Sequence, residues 1–143
     1  MKNFKELLKD IKVFIFDVDG VLSANVMNLN SDTGLPVRTG NVKDGYALHL
    51  ASKLGYKVAI ITGANTEYLT SRFAALGMHD DIYLGCHNKI VEFQALMEKY
   101  NLNPENVLYM GDDIPDLKVM KMVGVPCCPA DAAPEIKEIS KYI

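Results

Sequence analysis

Val13-Phe14-Ile15-Phe16-Asp17-Val18-Asp19-Gly20 is the stretch that decides the fold: four apolar, β-favouring residues run directly into two carboxylates and a glycine. An apolar run this short, without polar alternation, reads as a strand buried on both faces of a parallel sheet. Runs of the same kind recur at Val58-Ala59-Ile60-Ile61, Ile82-Tyr83-Leu84, Val107-Leu108-Tyr109-Met110 and Val125-Pro126-Cys127-Cys128. The last contains a proline, which cannot donate to a ladder, so it belongs at an edge.

Segments with helical spacing lie between these runs. Tyr46, Leu50 and Leu54 fall four apart before Gly55, the usual place for a helix stop. Leu69, Phe73 and Leu76 follow, with Asn65 or Thr66 as the expected N-cap and Gly77 as the stop. Ile90, Phe93, Met97 and Tyr100 form a third stripe. Pro115 opens a fourth helix through Leu117, Met120 and Val123 to Gly124, and Pro134 opens a last one through Ile136 and Ile139. Strand alternating with helix predicts an α/β fold with a mostly parallel sheet and helices on both faces. Residues 23–43 break this rhythm. Turn chemistry at Ser31-Asp32-Thr33-Gly34 between two short apolar arms predicts a β-hairpin inserted after the first strand. There it would lie over the carboxyl ends of the sheet, where α/β folds bind ligands.

Composition narrows the function. The 143 residues are 49% hydrophobic and 23% charged with a net charge of −3, which fits one globular domain over residues 1–143. No basic excess points to nucleic acid, and no apolar run approaches the ~20 residues of a membrane helix. Neither partner is expected. The first ten residues mix Lys2, Lys5 and Lys9 with Glu6 and Asp10, which is no secretory signal and predicts a cytoplasmic protein. Three cysteines, two of them adjacent, make neither a disulfide framework nor a zinc pattern.

The chemistry sits where strands end. Asp17 and Asp19 alone could be solvated turn residues, but company in order after successive strands favours a site. Thr62-Gly63 follows Val58–Ile61, Gly111-Asp112-Asp113 follows Val107–Met110, Asp116 comes next, and Lys89 stands at the start of a helix. Asp17, Asp112 and Asp113 or Asp116 would gather negative charge that repels unless a cation fills it. Oxygen ligands without histidine or thiolate favour Mg²⁺. Thr62, Lys89 and the amides near Gly63 suit phosphate oxygens. Asp17 would attack phosphorus, and Asp19 would protonate the leaving oxygen and then activate water.

In these motifs the chain resembles the haloacid dehalogenase superfamily of aspartate-nucleophile phosphatases, from residue 13 to about 130. Lys43-Asp44-Gly45-Tyr46 and Arg72-Phe73-Ala74-Ala75-Leu76-Gly77 further resemble its 3-deoxy-D-manno-octulosonate 8-phosphate phosphatase subfamily. The resemblance implies a Rossmann-like domain without a cap and hydrolysis of that phosphate to the free sugar acid, in lipopolysaccharide biosynthesis. It implies catalysis by Asp17 and Asp19, with Mg²⁺ on the side chains of Asp17 and Asp112 and the carbonyl of Asp19. Phosphate contacts fall to Thr62, Gly63 and Lys89. Asp116 is expected to support the site, and Asp113 either to orient Lys89 or to cap a helix. Lys43 and Arg72 are candidate contacts to the sugar acid or plain solvated charges.

The resemblance also implies a homotetramer in which one chain caps its neighbour's site. Subfamily members continue past the last helix into a Gly-rich, Arg-containing tail that reaches an active site. This sequence ends at Ser140-Lys141-Tyr142-Ile143, so weakened substrate affinity and turnover are expected. Two other functions fit the same letters: a phosphatase for a nine-carbon ulosonate 9-phosphate, and an inactive oligomerising module.

Overall fold

A computed structural model describes residues 2–143. The elements in chain order are α1 (Phe4–Leu7), β1 (Val13–Phe16), β2 (Asn28–Leu29), β3 (Pro36–Val37), α2 (Val42–Lys53), β4 (Lys57–Ile61), α3 (Tyr68–Ala75), β5 (Ile82–Tyr83), α4 (Lys89–Tyr100), β6 (Val107–Met110), α5 (Leu117–Met120), β7 (Val125–Cys127) and α6 (Pro134–Ile139). Five strands form one sheet in the order β5-β4-β1-β6-β7, and every pairing is parallel. The α/β Rossmann-like architecture expected from the alternation is the one observed.

Register is what positions the site. Phe16 pairs with Ile60 on one side and with Met110 on the other. The three central strands therefore end level. The ladder continues one step beyond them: the Asp17 amide donates to the Met110 carbonyl at 3.1 Å, and the Thr62 amide to Tyr83 at 3.0 Å. Asp17, Thr62 and Gly111-Asp112 leave the sheet side by side.

The core has two main layers. Val13, Ile15, Ile61, Tyr109 and Val107 pack with Phe93 and Leu96 of α4, Met120 of α5 and Ile136 of α6. On the opposite face Val58 and Ile60 pack with Leu48 of α2 and with Leu69 and Phe73 of α3. Each such side chain removed from water contributes about 1.5–3 kcal/mol before entropy is counted. Burial on both faces holds for β4, but in β1 and β6 it alternates, leaving Phe14, Phe16, Leu108 and Met110 half-buried.

Three expectations are corrected. The Tyr46, Leu50 and Leu54 stripe of α2 faces outward, because the helix packs inward through Leu48 on β4 and through Gly45 against Arg72 and Leu76. Neither Asn65 nor Thr66 caps α3. Glu67 holds that position without a side-chain bond, and the Thr66 hydroxyl accepts from Arg38 instead. The fourth helix opens with a 3₁₀ turn over Ile114–Asp116 and ends at Met120, short of Val123. Gly124 then lies against the turn before β6: its amide donates to the Pro104 carbonyl at 3.0 Å, and a Cβ there would meet the Glu105 carbonyl at 2.3 Å. Asp113 caps the 3₁₀ turn, its side chain accepting from the Ile114 amide at 2.8 Å.

Pro126 lies in the edge strand β7, as its missing donor requires. The hairpin forms, with Asn28 opposite Val37 and Leu29 opposite Pro36. Asn30 shapes its turn by accepting from the Asp32 and Thr33 amides, and Gly34 supplies the positive φ of 69°. No helix among the described residues is long and apolar enough to cross a membrane.

Candidate active site

The level strand ends bring four ionisable groups together. Lys89, the first residue of α4, places Nζ 2.9 Å from Asp17 Oδ2 and 2.7 Å from Asp116 Oδ1. The Tyr109 hydroxyl donates to the same Asp116 oxygen at 2.7 Å, and the Asp112 amide donates to Asp116 Oδ2 at 3.2 Å. Both Asp116 oxygens are thus occupied. Its task is to hold Lys89, the role left open between it and Asp113. Asp113 stands outside the 3₁₀ turn as its extended N-cap and is exposed, whereas Asp116 is the last residue of the turn and is fully buried.

Asp17 is buried, with Oδ1 accepting from the Val18 amide at 2.7 Å. Burial and the Asp116 charge raise its carboxyl above the ordinary range, and Lys89 pulls the other way. Burial works against the Lys89 charge, but Asp116 and Asp17 outweigh it and leave the ammonium raised. Burial, assisted by the Asp116 charge, pushes Tyr109 well up, so it stays a neutral donor. Asp112 is pushed up to about 7 by burial and by the Asp17 and Asp116 charges.

One oxygen from each of Asp17, Asp112 and Asp116 lies within 4.8 Å of the others. Three carboxylates face one ammonium. The negative excess, all from hard oxygen, fits a divalent cation such as Mg²⁺, which Asp112, with no side-chain partner among the described residues, and Asp17, with a single donor on each oxygen, would hold. Gly20 permits the approach. Its φ is +85°, and a Cβ there would stand 1.8 Å from Asp112 Oδ2.

Donors for an anion line the same cleft of about 650 Å³, which reaches from Asp17, Thr62 and Gly63 to Asn25, His87 and Asp131. The Thr62 hydroxyl oxygen accepts from the Ala64 amide at 3.1 Å, leaving its proton to donate. Lys89 spends two of three protons on carboxylates and keeps one. Lys43 and Arg72 do not line this cleft. Lys43 is exposed on the first turn of α2, and Arg72 lines a separate groove of about 270 Å³ between the hairpin, α2 and α3.

Asp19 points toward Arg38, a residue the sequence reading passed over. Arg38 Nε lies 2.6 Å from Asp19 Oδ1 and Nη2 lies 2.9 Å from Oδ2, a side-on fork. Arg38 sits just past β3, where no hydrophobic period marks it. The available signal was that it and Lys43 are the only basic residues in the irregular stretch. Tyr109 was also missed, being hidden as the lone hydroxyl of an apolar strand.

A carboxylate held against a lysine at a strand end, beside an acidic pocket suited to a divalent cation, is an arrangement that can support metal-assisted hydrolysis. The chain belongs to the haloacid dehalogenase-like hydrolase family, whose model matches residues 66–143. It is 38% identical over 135 residues to the 3-deoxy-D-manno-octulosonate 8-phosphate phosphatase KdsC of Escherichia coli strain K12, covering 94% of this chain and 71% of that protein. The crystal structure of the same-named phosphatase from Yersinia pestis superposes with a TM-score of 0.90 at 34% identity, over 96% of this chain and 73% of that one. That from Moraxella catarrhalis, in complex with magnesium ion, phosphate ion and KDO, superposes with a TM-score of 0.89 at 31% identity, over 96% and 78%.

Proposed function

We propose that the chain is a Mg²⁺-dependent phosphatase that hydrolyses 3-deoxy-D-manno-octulosonate 8-phosphate to the free sugar acid and phosphate. The observation that carries this reading is Asp17: buried, oriented by Lys89 and the Val18 amide, and opening on a cleft whose other carboxylates call for a cation. The substrate comes from the named relatives, which the chain matches along nearly all its length. In the first half, Asp17 attacks phosphorus and the bond to the sugar oxygen breaks, with Asp19 giving that oxygen a proton. In the second half, water attacks the aspartyl phosphate, its proton passes to Asp19, and Asp17 is regenerated. Thr62, the Gly63 backbone and Lys89 hold the phosphoryl oxygens. Bound Mg²⁺, on Asp17, Asp112 and the Asp19 carbonyl, supplies charge that offsets the oxygens of the transferring group.

The working unit in this reading is a homotetramer in the cytoplasm, formed by one domain per chain. Two unpartnered apolar surfaces support assembly. The hairpin exposes Val26 and Leu29, at 84% and 66%, together with Leu35 and Val37, and α2 exposes Val42, Tyr46 and Leu54. Single exposed apolar residues are ordinary, but contiguous ones mark an interface. Lys43 and Arg72, which stand away from their own chain's cleft, reach a substrate in this reading only across a subunit boundary.

A phosphate-release assay over eight- and nine-carbon sugar acid phosphates and an aryl phosphate tests the function. Mg²⁺-dependent turnover with preference for the eight-carbon substrate is expected, with loss of activity in chelator. Preference for the nine-carbon phosphate would contradict the substrate, and absence of any turnover would contradict the enzyme.

A further inference from the structure

We infer that Arg38 is a positioning residue that holds Asp19 as the proton acceptor for the hydrolytic half of the reaction. The inference rests on the proposed roles of Asp17 and Asp19. The hairpin carries Arg38 immediately after β3, yet its side chain is only 6% exposed, because it folds inward and joins three segments. Nε and Nη2 take the two oxygens of Asp19 in the loop after β1, at 2.6 and 2.9 Å. Nη1 donates to Thr66 Oγ1 at 3.1 Å and reaches the Tyr68 hydroxyl at 3.5 Å, both at the entrance to α3. The guanidinium is therefore fixed on both sides. Its planar fork in turn fixes the carboxylate plane.

The hydrogen bonds also decide what Asp19 can offer. Asp19 Oδ1 accepts from Arg38 and from Ser23 Oγ at 3.2 Å, whereas Oδ2 accepts, among the described residues, from Arg38 alone. Arg38 meets both oxygens as a donor, so the fork orients Asp19 as a hydrogen-bond acceptor. Oδ2 keeps one lone pair free. In the second half-reaction the water oxygen bonds to phosphorus and the Asp17–phosphorus bond breaks. The electron pair returns to Asp17, and the water proton goes to that free position on Asp19. A fork that holds an acceptor aids this step. In the first half-reaction the same carboxyl has to deliver a proton to the sugar oxygen, and the fork gives no help. Arg38 thus favours one half of the cycle over the other.

Rapid acid quench with labelled substrate separates the two halves. In Arg38→Ala, hydrolysis of the phosphoenzyme is expected to slow at least about tenfold, a part of the roughly 10²–10⁴-fold that a positioned proton-transfer group contributes. Formation from an activated aryl phosphate, whose leaving group needs little protonation, is expected to change less than about threefold. Phosphoenzyme then accumulates above the wild-type level. Arg38→Lys, which restores charge without the fork, is expected to recover only part of the hydrolysis rate. Arg38→Gln, which keeps more of the side-chain volume than alanine but neither the charge nor the fork, guards against loss of the fold and is expected to accumulate phosphoenzyme as Arg38→Ala does. Equal slowing of both halves, or an effect confined to KM, overturns the assignment of Arg38 while leaving Asp17 intact. Absence of phosphoenzyme in the wild type overturns the Asp17 reading itself.

Discussion

Asp112 is where the charge of the site is felt most directly. Its carboxyl is pushed up to about 7 from an ordinary 3.8 by burial and by Asp17 and Asp116. In chelator the folded protein therefore holds a proton there that the unfolded chain has already released. The stabilising contribution is fully present below about pH 4 and is lost as pH rises toward 7. Bound Mg²⁺ needs the ionised form, so stabilisation by Mg²⁺ grows over the same window. Thermal midpoints at about pH 5 and about pH 8 check this. The chelated protein should lose stability between them, the Mg²⁺ increment should be larger at the higher pH, and Asp112→Asn should shrink both differences. An increment that ignores pH would contradict the picture. At this scale the strand-end residues were legible, because Asp17, Thr62 and Asp112 each follow an apolar run whose end the sequence marks. Asp113 and Asp116 were not separable until the 3₁₀ turn sent one outward and the other to Lys89. Arg38 was illegible because its partner is 19 positions away, across a hairpin without period.

Among the elements, α2 and the hairpin share a property that spacing alone misassigns. Tyr46, Leu50 and Leu54 have the interval of a buried stripe, yet the buried residues of α2 are Gly45 and Leu48. Close approach at Gly45 explains the choice: a Cβ there would come within 2.9 Å of the Arg72 guanidinium and 3.3 Å of Leu76. The helix rests on its smallest residue, and the larger apolar ones are left outward. Together with the hairpin they form the surface expected to meet another subunit. Leu29→Asp combined with Leu35→Asp is expected to shift the assembly toward monomer in light scattering across a dilution series. Specific activity should fall with it, by about tenfold or more if a neighbour helps close the site. Full activity in a monomer at all dilutions would remove the shared lid. Both side chains are exposed within the chain, so the substitutions should leave its stability within about 0.5 kcal/mol.

For the whole molecule, the parallel sheet supplies the one thing the chemistry cannot do without, a level edge at which separate segments meet. Pairing of Phe16 with Ile60 and Met110 brings residues far apart in the chain to one edge of the sheet. Alternation of strand and helix made the architecture legible, and the edge position of β7 followed from Pro126 alone. What the alternation could not convey was how segments lean on each other outside the sheet, which is set by contacts such as the Arg38 fork. The account stands or falls on Asp17 as the group that takes the phosphoryl. Acid quench of a single turnover with labelled phosphate ester, followed by mapping of the labelled peptide, reads this directly. The account predicts an acyl phosphate on Asp17 that forms and decays within the turnover, and its loss with all activity in a folded Asp17→Asn variant. Phosphate release without any labelled protein, or undiminished turnover by Asp17→Asn, would contradict it.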